Sequence, residues 1–166
     1  MEALEIEDTC NRIIKWLTEE GLYKNRIQDE NLHFHLAAEY PLRSGRHLSI
    51  IQPKNHEDMV VILSRIMLAD VHKNALLAMQ RKDRLKLLWN MRYALLFQES
   101  SFEMQPGGES LEGIQFTHEI YYDGLTKNKL MEAMRENFKC ELYVVWKFQE
   151  IFGDRPGPEE ASSMYC

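Results

Sequence analysis

Between Leu32 and Gln52 the chain alternates. Leu32, Phe34, Leu36, Ala38 and Tyr40 point one way, and His33, His35, Ala37 and Glu39 the other. After Pro41-Leu42-Arg43-Ser44-Gly45 the pattern resumes over residues 46–52, with Leu48 and Ile50 on the apolar side. A period of two marks a half-buried strand. So short a turn permits only antiparallel pairing, because a parallel neighbour needs a crossover of a dozen or more residues. A further alternating stretch at 23–29 precedes the turn signal Asp29-Glu30-Asn31, which predicts a hairpin with residues 31–40. An antiparallel sheet is therefore the frame into which everything else has to fit.

The rest of the chain supplies cover for that sheet. Ile6, Cys10, Ile13, Ile14 and Leu17 recur at steps of three and four over residues 5–20, and Gly21 is a natural left-handed stop. Met59-Val60-Val61-Ile62-Leu63 is too continuous for periodicity to decide, but its β-branched content predicts a fourth strand over 58–68. A helical region capped by Asp70 runs to about Glu99, either as one helix or as two with a bend at the polar patch Arg81-Lys82-Asp83-Arg84. Residues 100–105 and 113–122 alternate around the loop Pro106-Gly107-Gly108. Thr126 caps a final helix through Phe152, on which Leu130, Ala133, Met134, Phe138, Leu142, Val145, Trp146, Gln149 and Phe152 keep near-helical spacing, and Gly153 ends it. The reading is an α+β fold, an antiparallel sheet with helices packed on one face, in the order α-β-β-β-(β)-α-β-β-α. It comprises one domain over residues 5–153 and a disordered tail over 154–166.

Composition narrows the function classes. The chain has 166 residues, with 20 Lys and Arg against 26 Asp and Glu, a formal charge of −6. That balance argues against coating of nucleic acid, which needs a cationic field. The longest apolar run is five residues, far short of the roughly 20 that span a bilayer. The N-terminus is acidic from Glu2, unlike a secretory signal, so a cytoplasmic protein is expected. Cys10, Cys140 and Cys166 are odd in number and widely spaced, which fits reduced thiols and no disulfide framework.

Few residues carry candidate chemistry. His33 and His35 share a strand face, a spacing that suits a transition metal, with His47 as a third ligand if the 41–45 turn pairs its two strands. In a tight hairpin Lys24 falls beside His35 and Arg26 beside His33, which disfavours a cation there. His118, on the apolar face of its strand, reads as a core histidine bonded to a backbone carbonyl. No phosphate loop, GxGxxG or GxSxG pattern is present. Arg81, Lys82, Arg84, Lys86 and Arg92, with Trp89 and Tyr93 nearby, form the most basic stretch, the one place where a nucleic-acid reading survives the net acidity. Mid-chain apolar residues lie on more than one side of their helix, among them Leu77, Trp89 and Leu96, and one sheet face cannot bury them all. These three are the expected dimer or partner surface, and a homodimer is expected.

Four phrases, Trp16-Leu17-Thr18-Glu19-Glu20-Gly21, Ile50-Ile51-Gln52-Pro53, Tyr121-Tyr122-Asp123-Gly124-Leu125-Thr126 and the last helix through Trp146, carry a resemblance over residues 5–153. The chain resembles a small, mainly archaeal, uncharacterised prokaryotic family of unknown function. Its order of elements also resembles that of type III secretion chaperones. That second resemblance implies a small, acidic, homodimeric module binding extended segments of other proteins, and no cofactor is expected. The expectation is a non-enzymatic binding module; the alternative is a metal-dependent or acid–base enzyme centred on His33 and His35.

Overall fold

The structure, a computed structural model, describes residues 2–153. The tail expected over 154–166 lies outside the described residues. Helix α1 (Glu2–Glu19) is followed by strands β1 (Tyr23–Ile27), β2 (Leu32–Glu39), β3 (His47–Pro53) and β4 (Met59–Met67). Helices α2 (Asp70–Ala78) and α3 (Arg81–Leu96) lead to β5 (Ser101–Gln105) and β6 (Gly113–Tyr121), and α4 (Lys127–Phe152) is the last element of the described residues. The sheet has six strands in the order β1-β2-β3-β4-β6-β5, every neighbouring pair antiparallel. The excursion through α2 and α3 carries the chain past one position, and β6 returns to fill it beside β4. No helix of the described residues is long and apolar enough to cross a membrane.

Local chemistry sets the element ends. Gly21 adopts φ +71°, its N–H reaches Thr18 O at 3.0 Å, and Leu22 N–H reaches Leu17 O at 2.8 Å. This pair of bonds closes α1 in a Schellman turn, with Leu22 and Leu17 both in the core. The β1–β2 turn is held by Asn31 N–H donating to Asp29 Oδ1 at 2.9 Å. Thr126 caps α4, its Oγ1 accepting from Lys129 N–H at 3.1 Å. Asp70 does not cap α2. Ala69 holds that position without a side-chain bond, and Asp70 sits inside the first turn paired with Lys73 at 2.9 Å. The helical region is two helices, broken where Met79 and Gln80 turn extended (ψ 150° and 140°). Gly113 is required opposite Met67, because a Cβ there would lie 2.8 Å from Ile66 O.

All four helices bury their apolar residues against the same sheet face. One cluster joins Ile13 and Leu17 of α1 to Leu36, Ile50 and Ile62; another joins Leu88, Met91 and Leu95 of α3 to Ile66, Ile114 and Phe116. Helix α4 contributes to both clusters. Between them runs a polar seam: Ser64 on β4, His118 on β6, and Asn137 and Glu141 on α4 are all buried. Asn137 Nδ2 donates to Ile62 O at 3.2 Å, and its Oδ1 accepts from Ser100 Oγ at 2.6 Å. Glu141 meets Arg46 Nη1 at 3.1 Å. The buried stripe of α4 therefore keeps Leu130, Ala133, Met134 and Val145 of the apolar pattern and adds Asn137 and Glu141, while Phe138 and Leu142 are half-buried and Trp146 is exposed.

Candidate functional site

Among the described residues, the opposite face of the sheet carries no helix. Its side chains form rows across the strands, fixed by register. One row runs Ile27, His35, Ile51, Val61, Glu119; the next runs Ala37, Ser49, Leu63, Thr117, Ser101. A third row, Arg65, Gln115 and Glu103, is polar throughout. The centre of this outer face is therefore an apolar strip with a polar margin. Val61 is only 8% exposed although it belongs to neither helix-packed cluster. A fully solvated face would place polar side chains where Ile51, Val61 and Leu63 stand.

The histidines border this strip. His35 Nε2 lies 2.8 Å from Ser49 Oγ. His33 occupies a bulge, where β2 advances two residues (Leu32 to Phe34) against one on β3 (Pro53 to Gln52). His33 Nε2 and His35 Nδ1 are buried atoms with no hydrogen-bond partner among the described residues. The expected third member does not join them. His47 pairs with Glu39, while His35 pairs with Ile51, four residues further along β3 and so about 13 Å away. Among the described residues, no three His, Cys, Asp or Glu side chains form a set able to hold a metal ion. The expected cationic neighbours are displaced too. Ile27 stands opposite His35, Arg26 pairs with Glu7 of α1 at 3.0 Å, and Lys24 pairs with Glu39 at 3.0 Å. The cause is the connection: pairing starts at Ile27 and His35, which leaves residues 28–34 to it where a tight turn at 29–30 would leave two. As chemistry, His35 and Ser49 make a hydrogen-bonded pair on a sheet face, where the ring nitrogen away from the serine meets no carboxylate that would orient it as a base.

The buried titratable groups are tuned by burial. Cys10 and Cys140 have thiol pKa values pushed up to about 11, so both stay protonated and inert near neutral pH. Burial lowers the pKa of His118, with Lys129 adding to the effect. The carbonyl partner expected for this histidine is not found at Nδ1, which has no hydrogen bond. Burial raises the carboxyl of Glu141 against the opposing pull of Ser64 and Arg46. Sequence reading missed Asn137 and Glu141 as core groups; the available signal was their place on the i, i+3, i+4 grid of α4.

A second surface lies on α3. Leu87, Leu88, Met91 and Leu95 face the core, but Trp89, Leu96 and Phe97 are 52%, 63% and 83% exposed. Tyr93 stacks beside Trp89 with ring centroids 5.8 Å apart, and Arg92 lies over the Trp89 ring at 5.0 Å. Leu77 is also exposed but sits on α2, beyond the break at Met79. Most of the basic stretch is engaged within the chain. Arg81 pairs with Glu109, Arg84 donates to Leu77 O at 3.3 Å, and Arg92 donates to Gly108 O at 3.2 Å. Such commitments leave a poor phosphate-binding surface.

Residues 9–148 match the family described as Uncharacterized conserved protein (DUF2299). Among solved structures, the chain is similar to an uncharacterized protein from Methanothermobacter thermautotrophicus, at 31% sequence identity and a TM-score of 0.81, covering 86% of this chain and 97% of that one. It also has a slight likeness to YbjN of E. coli, described as a putative transcription regulator, at 10% identity and a TM-score of 0.41 over 78% of this chain and 86% of that one. No curated protein matches.

Proposed function

We propose that this chain, which belongs to the family of uncharacterised conserved proteins (DUF2299), is a non-enzymatic module that binds an extended polypeptide segment on the open face of its sheet. The observation that carries this reading is the apolar strip of Ile51, Val61 and Leu63, which no helix among the described residues covers. An extended segment presents apolar side chains at every second residue, a period that suits rows of side chains on a sheet. The polar margin, with Arg65, Glu103 and Glu119, gives such a site its rim.

The reading is tested with an array of short peptides of alternating apolar and polar residues, probed with the purified protein. Some peptides bind wild type, and Leu63→Asp, which puts a charge in the strip, weakens them at least about tenfold. Trp89→Ala, on a different surface, leaves binding unchanged. An array without a binder, or binding indifferent to Leu63→Asp, contradicts the proposal.

A further inference from the structure

We propose that the solvent-facing side of α3 docks an acidic amphipathic helix of another protein. This inference does not rest on the sheet-face reading, since it uses a surface on the helix side of the sheet. Lys82, Lys86, Trp89 and Tyr93 follow one another at steps of four, three and four, which sets them in one line along α3. Leu96 and Phe97 continue the line past Tyr93. It lies opposite the buried stripe of Leu87, Leu88, Met91 and Leu95, so core packing uses none of it. All six residues are exposed, and Trp89, Tyr93, Leu96 and Phe97 each by more than half. Scattered apolar residues on a surface are ordinary, but four large ones within about two helical turns form a patch that marks an interaction site. Trp and Tyr are also the side chains that most often anchor such sites.

The chemistry of the occupant follows from the charges along the line. Helix α3 has five cations. Arg81 and Arg84 are engaged by Glu109, and Arg92 donates to Gly108 O at 3.2 Å. Lys82 and Lys86 make no ion pair among the described residues. Both stand in the first two turns, where the N-terminal end of the helix dipole adds to their positive potential. Asp83, the one acidic residue of α3, lies off the line, in the cleft that α3 forms with Lys147 and Ile151 of α4. The surface is therefore cationic at its N-terminal end and apolar over the rest. A helix laid along it satisfies both parts when acidic residues stand beside one end of its apolar stripe. Helix α3 is about 24 Å long, so about 16 residues of the partner span it. Single-stranded nucleic acid is the poorer fit. Arg92 already lies over the Trp89 ring at 5.0 Å, where a base would stack, and two lysines on a chain of charge −6 attract phosphates weakly.

Fluorescence anisotropy with the full chain and two labelled helical peptides of about 18 residues tests the proposal. Both peptides carry the same leucine stripe; beside one end of it, one has Glu and the other Lys. The Glu peptide binds wild type, and the Lys peptide binds at least about tenfold more weakly. Trp89→Ala, at an exposed position and with its fold confirmed by circular dichroism, weakens the Glu peptide at least about tenfold. Lys82→Glu combined with Lys86→Glu reverses the preference, so that the Lys peptide binds better. Leu63→Asp, on the open sheet face, changes neither affinity. A Glu peptide that does not bind, equal binding of the two peptides, indifference to Trp89→Ala, loss with Leu63→Asp, or displacement of the Glu peptide by oligothymidylate overturns the proposal.

Discussion

Ile62 and Val61 are adjacent on β4 and both are buried, yet they belong to different halves of the molecule. Ile62 points into the cluster that α1 and α4 complete; Val61 points to the face that no helix of the described residues covers. The same division runs along β3, where Ile50 packs under the helices and Ile51 does not. Alternation determines which residues share a face, but the chain's own helices are enough for only one face. The second face keeps apolar residues at its centre all the same. That difference separates a sheet that merely has a wet side from one with a second surface to use.

Substitutions on the two faces turn this contrast into measurements. The largest effect is expected on the covered face. Phe116→Ala, at a fully buried position, lowers unfolding free energy by about 3–5 kcal/mol in urea titrations. Next comes the polar seam. Asn137→Ala leaves Ser100 Oγ and Ile62 O without their partner and costs about 2–3 kcal/mol, read in the same titration. A variant as stable as wild type would show that the seam is not a structural joint between the two core clusters.

The third effect depends on pH. Burial raises the Glu141 carboxyl in the folded state, so the folded state holds that proton more tightly than the unfolded chain. Its contribution is fully present below the unfolded value, 4.5, and is lost as pH rises through the raised folded value. Glu141→Gln therefore gains stability relative to wild type as pH rises across that window. A difference between the two proteins that stays flat with pH contradicts the assignment. The smallest effect belongs to the open face: Leu63→Ala changes stability by about 1 kcal/mol or less. A loss there as large as at Phe116 would mean that the outer face is covered, and the contrast would fail.

Much of this fold was legible in the residues. Alternation at 32–52 located β2 and β3, the β-branched run located β4, and Gly21, Thr126 and Gly153 marked helix ends that the structure keeps. What escaped has identifiable causes. The β1–β2 connection is wider than the tight turn at 29–30 that Asp29-Glu30-Asn31 suggests, since pairing starts only at Ile27 and His35, and this moves Lys24 and Arg26 away from the histidines. The break between α2 and α3 contains neither Gly nor Pro; it falls at Met79-Gln80. On α4 the apolar pattern finds Leu130, Ala133, Met134 and Val145 but not Asn137 and Glu141, because hydrophobicity cannot register a buried carboxylate whose partner, Arg46, lies 95 residues away. Of the candidate sites, the exposure of Leu77, Trp89 and Leu96 followed from counting more apolar residues than one sheet face can cover. The open strip of Ile51, Val61 and Leu63 did not, because it depends on which side the helices choose.

The central claim is that the open sheet face receives an extended polypeptide. Methyl-resolved NMR of the protein, titrated with a peptide captured from the alternating array, tests it most directly. The account predicts shifts concentrated at Ile27, Ile51, Val61 and Leu63, with the methyls of Leu87, Leu88 and Leu96 on α3 unmoved. Shifts confined to α3, or spread evenly over the core, would contradict it.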